Sequence, residues 1–258
     1  MLPIIKSGLM AASREISTIS NNISNAGSTG FKRSSNEYTD VYANTVNQIK
    51  RSTTGMGSRS QIIRVDHNQG SLKTTNMSLD LGVSGNGMFV AQDPNDGGMY
   101  YTRDGSMSLN TSGQIITNNG RLLMSANGQP LTTPFAVIDG AGQRQLIDSI
   151  SINQKGEVVA QYGTSTRVNA GQIGLARFRN MNGLQQLGLN EFSETALSGA
   201  AIIGTPGNSP FGRIVQGSIE ASNTEISDEM VMMMRAQQAF SASSRMMQTE
   251  ADIISRFM

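Results

Sequence analysis

The sequence contains no cysteine and only one histidine among its 258 residues. Without cysteine the chain cannot form a disulfide, a thiolate zinc site or a cysteine nucleophile. The single histidine, His67, leaves little room for a metal site built from several imidazoles. We therefore expect neither a disulfide framework nor a bound metal or other cofactor.

Long apolar runs are also missing from the sequence. The longest fall far short of the 18 or more residues that span a bilayer, so we expect no direct membrane insertion. Met1–Leu9 is apolar, but it carries Lys6 in its middle and has no basic start. This composition is untypical of a secretory signal peptide.

Charge of either sign is scarce, and the formal net charge of +1 argues against nucleic acid as a general partner. The near-neutral total hides an asymmetry, because residues 1–75 hold nine Lys or Arg against four Asp or Glu. The rest of the chain is acidic to a similar degree. The basic excess fits either a solvated face or a contact with an acidic surface of a neighbouring subunit.

Recognisable catalytic motifs are absent as well. Gly82-Val83-Ser84-Gly85-Asn86 comes nearest to a nucleophile elbow, but it ends in Asn where that motif needs Gly. No Lys follows a Ser by three residues, and there is no phosphate-binding loop that ends in Gly-Lys. His67 lies in a polar turn beside Asp66, and adjacency alone does not orient a general base. We therefore expect that the protein is not an enzyme.

Both ends of the chain carry apolar residues at heptad spacing, which is typical of a helix that packs along another helix. At the N-terminus this spacing predicts a helix that stops near Asn25–Gly30. At the C-terminus Ser222-Asn223-Thr224-Glu225 matches a capping box, so that helix should start between Asn223 and Ser227. The positions expected to pack between subunits are Ile5, Leu9, Ala12, Ile16, Ile19, Ile23, Ile226, Met230, Met233, Phe240, Met247 and Ile254, and the second series continues to Met258.

The last predicted helix is rich in methionine, with six between Met230 and Met247. One interpretation is ordinary core filling. The other is a soft surface that packs against several slightly different neighbours, because the Met side chain adapts its shape easily. In a helical polymer each subunit meets such inequivalent surroundings.

The middle of the chain has the turn signals of a hairpin-rich β domain. Asx-Gly pairs accept positive φ and favour two-residue hairpins. Seven such pairs occur, namely Asn86-Gly87, Asp96-Gly97, Asp104-Gly105, Asn119-Gly120, Asn127-Gly128, Asp139-Gly140 and Asn182-Gly183. Short strands fit between them.

These patterns predict an α+β fold. In it, long N- and C-terminal helices form a coiled-coil-like core, and the central domain is all β and rich in hairpins. The predicted divisions are an N-terminal heptad helix (1–30), an extended or mobile connecting segment (31–75), a central β domain (76–183), a return segment of loops and short strands (184–221) and a C-terminal heptad helix (222–258). Neither terminal helix can bury its apolar stripe alone, so both should be firm only when packed.

Four separated motifs, in the same order along the chain, resemble those of the bacterial flagellar axial proteins, the rod and hook family. The first is Asn21-Asn22-Ile23-Ser24-Asn25 followed by Thr29-Gly30-Phe31-Lys32-Arg33. The second is Leu79–Val83 with Gly85–Phe89, and the third is Tyr101-Thr102-Arg103-Asp104-Gly105. The fourth is Gly217-Ser218-Ile219-Glu220-Ala221-Ser222-Asn223.

The resemblance implies a structural subunit of the flagellar basal-body rod, of the F or G type, which polymerises through its terminal helices into a shaft that transmits torque. The segment between Arg33 and Gly70 is short, which favours the F type. The implied partners are copies of the chain, other rod and hook axial proteins and the flagellar type III export apparatus. The implied location is the periplasm-spanning rod, reached from the cytoplasm without a cleaved signal peptide.

Two other classes of function stay open at this point. Gly-rich turns and terminal heptads also suit a secreted, β-rich binding or adhesive protein with oligomeric helical stalks. An enzyme acting on peptidoglycan is the third class, with Asp66 or Glu157 as the residues to examine.

Overall fold

A computed structural model describes residues 2–42, 55–138, 143–163 and 166–257. Met258, the Asp139-Gly140 pair and the middle of the predicted connecting segment lie outside the described residues. The elements run α1 (Leu2–Ser24), β1 (Ser34–Tyr42), β2 (Gly55–Val65), β3 (Leu72–Thr74), β4 (Leu81–Ser84), β5 (Met88–Gln92), β6 (Met99–Thr102), β7 (Met107–Leu109), β8 (Ile115–Thr117), β9 (Leu122–Leu123), β10 (Ala136–Ile138), β11 (Arg144–Ile152), β12 (Glu157–Tyr162), β13 (Thr166–Gln172), β14 (Leu175–Arg177), β15 (Gln185–Gly188), β16 (Glu191–Ser193), β17 (Ile202–Gly204), β18 (Arg213–Gln216), β19 (Ser218–Glu220) and α2 (Ile226–Phe257).

The described chain divides into two compact units, each of which is discontinuous in sequence. The helical unit comprises Met1–Ala26, Lys32–Asp66 and Thr224–Met258, and so contains α1, the β1–β2 ribbon and α2. The β unit comprises Gly27–Phe31 and His67–Asn223. No helix in the described part of the chain is long and apolar enough to cross a membrane.

The β unit is built from antiparallel strands. Its largest sheet has nine strands, with β15, β16, β6, β5, β9, β8 and β7 in order and β14 joining β5 to β17. A second sheet has the order β10-β11-β12-β13, and two short pairs join β18 to β4 and β19 to β3. Hairpins join some neighbouring strands, such as β5 to β6 and β7 to β8, whereas β4 and β3 pair with β18 and β19 from the far end of the unit.

The core of the β unit comes from alternate residues of these strands. Val158, Ala160 and Tyr162 point inward along β12, whereas the intervening residues are only half-buried. The inward side chains of several strands form one apolar cluster that includes Leu81, Phe89, Leu123, Val158 and Leu175. Each such side chain stabilises the fold by roughly 1.5–3 kcal/mol when fully buried.

The turns between the short strands use the glycines that the Asx-Gly pairs supply. Asn119-Gly120 links β8 to β9, and the Gly120 amide donates to the Thr117 carbonyl oxygen at 2.9 Å. Gly120 has φ 77° and Gly128 has φ 75°, which are left-handed values that a Cβ atom disfavours. The hairpins form here because local chemistry alone determines such turns.

In the helical unit, α1 and α2 run antiparallel. The Asn22 amide nitrogen lies 3.2 Å from Glu229 Oε2, and a Cβ atom added at Gly8 would lie 3.5 Å from Ser243 Oγ. The strand β1 also contacts α1, because the Tyr38 hydroxyl donates to the Ala11 carbonyl oxygen at 3.1 Å. Asp228 and Glu229 in the first turn of α2 and Arg256 in its last turn complement the helix dipole.

The predicted fold class, with terminal helices that form a coiled-coil-like core, is wrong. The described chain is mostly β, with nineteen strands and two helices, and its apolar core lies in the β unit. The residues of α2 that lie toward α1 include Glu229, Ala236 and Ser243. Each of them lies one position before a residue of the predicted heptad series. The prediction placed the largest apolar residues in the seam, whereas small and polar residues occupy it and let the helices approach.

Candidate assembly surfaces

The described residues contain no group of three or more His, Cys, Asp or Glu side chains that could bind a metal ion. His67 packs against Phe192, with ring centroids 5.4 Å apart and a tilted arrangement. The structure shows where the other residues identified in the sequence lie and what they contact.

Residues from two of the family-like motifs meet in a buried ion pair inside the β unit. Arg103 Nη1 donates to Glu220 Oε2 at 3.0 Å, and the two side chains are 3% and 0% exposed. Arg103 Nη2 also donates to the Gly85 carbonyl oxygen at 2.8 Å, and Glu220 Oε1 accepts from the Gly70 amide at 2.9 Å. Burial lowers the pKa of the Arg103 guanidinium, and Glu220 opposes that shift.

Two glycines of the motifs allow the backbone to approach this ion pair. The Gly30 amide donates to the Glu220 carbonyl oxygen at 2.8 Å, with φ 66° at Gly30. A Cβ atom at Gly30 would lie 2.5 Å from the Asp104 amide nitrogen, and one at Gly105 would overlap the Leu81 carbonyl oxygen. We call Gly30, Arg103, Gly105 and Glu220 the motif junction. The sequence identified each of these residues but gave no indication that they are in contact.

A second buried network lies in the helical unit. The Asn22 side chain forms two hydrogen bonds with the Ser34 backbone, at 2.8 Å to its carbonyl oxygen and 3.0 Å from its amide. Glu229 is 1% exposed, and its Oε1 lies 2.6 Å from Arg33 Nε. This network joins the chain after α1 to the first turn of α2. Asn22 belongs to the first family-like motif, whereas Glu229 is outside all four motifs, and its sequence signal was that of an acidic residue in the first turn of a helix.

The remaining motif residues have structural roles. Asn25 Nδ2 donates to the Asn21 carbonyl oxygen at 2.9 Å, at the end of α1. Phe31, Lys32, Tyr101 and Thr102 are buried, Gly217 has φ 69°, Ser222 is half-buried, and Asn223 Nδ2 donates to the Asn68 carbonyl oxygen at 3.1 Å.

Tyr101 has a strongly shifted pKa. Its ring lies edge-on to Phe178 with centroids 4.7 Å apart, and its hydroxyl lies 3.5 Å from Glu194 Oε2. Burial, together with the negative charge of Glu194, raises the pKa of Tyr101 to about 12. Both effects disfavour the phenolate, so Tyr101 stays neutral at physiological pH.

Another network in the β unit was not predicted at all. Arg121 Nε lies 2.7 Å from Glu191 Oε2, and Arg121 Nη1 lies 2.7 Å from Asp93 Oδ2. The guanidinium carbon also lies 3.3 Å from the centroid of the Tyr100 ring. It connects the start of β9 with β16 and with the turn after β5. No sequence motif links these positions, so only the fold could show the cluster.

The predicted subunit-packing residues are buried to very different degrees. On α1, Ala12 and Ile19 are buried, while Ile5, Leu9, Ile16 and Ile23 are half-buried. On α2, Met233 and Met247 are half-buried, while Ile226, Met230, Phe240 and Ile254 are exposed. The α1 side of the predicted seam is thus mostly covered within this chain, whereas the α2 side is mostly open.

The open side of α2 is larger than the sequence pattern indicated. Val231, Met234, Met246 and Ile253 are exposed in addition to the predicted positions. We call the eight exposed large apolar residues of α2 the α2 face, namely Ile226, Met230, Val231, Met234, Phe240, Met246, Ile253 and Ile254. This many exposed large apolar side chains on one helix are typical of an interaction site.

Comparison with known proteins gives three family matches along the chain. Residues 5–32 match the flagella basal body rod protein family, and residues 82–160 match the flagellar hook protein FlgE/F/G D1 domain. Residues 215–257 match the C-terminal region of the flagellar basal body rod FlgEFG proteins. The matched ranges contain most of α1, the centre of the β unit and all of α2.

Whole-chain relatives agree with these matches. The chain is 32% identical to a flagellar basal-body rod protein FlgG of Borreliella burgdorferi, over 96% of this chain and 93% of the relative. It is 32% identical to the FlgG protein of a Buchnera aphidicola strain, over 98% and 96%. A flagellar hook protein FlgE of Salmonella typhimurium is 38% identical, but over only 41% of this chain. Both of these whole-chain relatives are of the G type, so they do not support the F type favoured by the short segment.

Proposed function

This chain belongs to the flagellar basal-body rod protein family, and from that premise we propose how it acts as a structural subunit of the rod. The subunit polymerises through its terminal helices, with the α2 face covered by neighbouring subunits. Copies of the chain and other axial proteins of the flagellum are the neighbours. The product is the shaft in the basal body that transmits torque.

The exposure of the α2 face is the observation that carries this proposal. Full burial of one large apolar side chain contributes roughly 1.5–3 kcal/mol. Covering the exposed parts of all eight would contribute on the order of 10 kcal/mol, which is comparable with the roughly 4–15 kcal/mol that association costs. The face is therefore large enough to support assembly when several neighbours cover it.

A head-to-tail arrangement of the subunits explains why assembly continues. A head-to-tail contact uses two different surfaces, so each added subunit presents a free surface for the next one. If the rotation between subunits does not close a ring, the result is a helical filament. Methionine side chains on the α2 face suit the slightly different neighbours that a subunit meets in such a filament.

Export of the subunit by the flagellar type III apparatus is part of the proposal. The absence of cysteine supports it, because such a chain cannot form wrong disulfides in the oxidising periplasm. The proposed role involves no catalytic step. No family match or relative described above favours the adhesive alternative.

Charged substitutions on the α2 face provide the test. We expect the double variant Met230→Asp/Met234→Asp to fold normally, because these side chains are 57% and 54% exposed, and to lose incorporation into rods. Burying a carboxylate in an apolar contact is costly. Circular dichroism checks the fold, and isolated basal bodies and swimming check assembly.

The matched control is Met77→Asp, at a methionine of the β unit that is 66% exposed. It should fold and assemble as the unmodified chain does. Normal rods from the double variant would contradict the proposal.

A further inference from the structure

The β unit carries two arginines on one face that have no ion-pair partner among the described residues. Arg177 and Arg179 are exposed and flank Phe178, which is buried against Tyr101. Both side chains line the same cleft at the surface of the β unit, with Phe178 buried between them. The ion pairs of the β unit involve other arginines, Arg103 and Arg121.

An apolar residue completes this surface. Ile202 of β17 lies directly opposite Arg177 of β14, on the same face of the sheet, and is 56% exposed. A cleft of about 180 Å³ adjoins it and is lined by both arginines together with Asn86 and Met181. We call Arg177, Arg179 and Ile202 the arginine patch. Its charges lie two residues apart in sequence, so their Cα atoms are at most about 7 Å apart.

The start of α2 has the complementary set of groups. Glu225 and Asp228 are exposed and form no ion pair with any described residue, whereas Glu229 beside them is buried against Arg33. Glu225 directly precedes α2 and Asp228 lies in its first turn, so the two carboxylates lie close together at the start of the helix. Val231, one turn beyond Asp228 and 43% exposed, offers an apolar contact for Ile202.

We propose that the arginine patch of one subunit binds the acidic start of α2 in a second copy of this chain. Arg177 and Arg179 pair with Glu225 and Asp228, and Ile202 packs against Val231. This inference rests on the proposed function, since it names one contact of the polymer. Each copy carries both surfaces, so the contact is head-to-tail and leaves one surface of each kind free at the ends.

The contact explains how orientation is selected during assembly. An apolar face rich in methionine packs in several registers, because it has little directional preference. Opposite charges across an interface determine register and suppress wrong pairings more than they add affinity. The arginine patch would therefore select the correct placement of an incoming subunit, and this selection should weaken as ionic strength rises.

Cysteine crosslinking tests the contact directly, because the natural chain has no cysteine that could interfere. The double variant Ile202→Cys/Val231→Cys should form a ladder of crosslinked oligomers when assembled subunits are oxidised. Each single variant should give no ladder. A double variant that stays monomeric, with or without an internal disulfide, would overturn the proposal.

Charge exchange gives a second, independent test. Arg177→Glu/Arg179→Glu and Glu225→Arg/Asp228→Arg should each lower assembly by about tenfold or more, since like charges then meet across the contact. All four substitutions in one chain should restore assembly. Arg144→Glu/Arg167→Glu, at exposed arginines elsewhere in the β unit, is the control and should assemble normally.

The results separate this contact from the proposed function. If the natural chain forms rods but the two charge reversals have no effect, or if their combination does not restore assembly, the contact is wrong and the rod function stands. If the natural chain is not incorporated into rods at all, the proposed function fails and this contact fails with it.

Discussion

Arg103 and Glu220 show how a single residue pair can hold distant parts of the chain together. They are 117 positions apart in sequence, and almost no solvent reaches either side chain. Such a pair gains little relative to a well-packed apolar pair, yet removing one partner leaves an uncompensated charge in the interior. The motif junction is therefore sensitive to loss of either side chain.

We predict that Arg103→Met lowers the free energy of unfolding by roughly 3–5 kcal/mol, because Glu220 then stays buried without its cation. Urea denaturation followed by circular dichroism measures this change. The matched control is Arg64→Met, at an ion pair with Glu37 that is largely exposed and should be worth at most about 1 kcal/mol. Equal, small effects of both variants would contradict the assigned role of the junction.

Tyr101 gives a pH-dependent prediction at the same scale. Its pKa in the fold is about 12, above the ordinary value of 10.0, so the folded state favours the neutral phenol. The associated stability is fully present below pH 10 and is lost as the pH rises toward about 12. Ultraviolet difference spectroscopy should show a tyrosine that ionises near pH 12, and Tyr101→Phe should remove that step. If Tyr101→Phe removed an ionisation at a lower pH instead, the assignment of the ionisation near pH 12 to Tyr101 would be contradicted.

At the scale of elements, α2 shows what the sequence pattern could and could not reveal. Heptad spacing correctly indicated a helix, because spacing of apolar residues reflects the helical period. It did not indicate which side faces α1, since the largest side chains were assumed to lie inside. The interior line contains Ala236 and the buried Glu229, and most of the larger apolar residues remain outside.

The hairpin turns could be predicted from the sequence, whereas the buried ion-pair networks could not. Asn119-Gly120 and Asn127-Gly128 could be predicted as turns, because their conformation depends on adjacent residues. The Arg103–Glu220 and Arg121–Glu191 pairs could not, because each joins residues that are 70 or more positions apart. The resemblance to a family marked Arg103 and Glu220 but did not state what they contact.

Ala236 provides the prediction for this element. It is 2% exposed, so Ala236→Leu should overpack the helical unit and lower the free energy of unfolding by roughly 1–3 kcal/mol. Gln237→Leu, at the neighbouring exposed position in the predicted seam, is the control and should be within about 0.5 kcal/mol of the unmodified chain. Thermal denaturation of both variants shows which line of residues on α2 faces α1. A larger loss of stability in Gln237→Leu than in Ala236→Leu would indicate that the predicted seam is the one that packs.

At the scale of the whole molecule, the two units have different roles. The β unit holds the dense apolar core, whereas the helical unit leaves the α2 face open. A subunit built in this way keeps a folded body before assembly and reserves apolar surface for its neighbours. Stability of the helical unit should accordingly rise when partners bind, because binding stabilises whichever state it selects.

Oxidative footprinting of methionine, on free subunits and on isolated rods, tests this central claim most directly. Met230 and Met234 should be modified readily in the free subunit and strongly protected in the rod, while Met88, which is 1% exposed, should stay protected in both. Thioether oxidation follows exposure, so the protection ratio reports coverage of the α2 face. Equal modification of Met230 and Met234 in both states would show that the face stays open in the rod and would contradict the account.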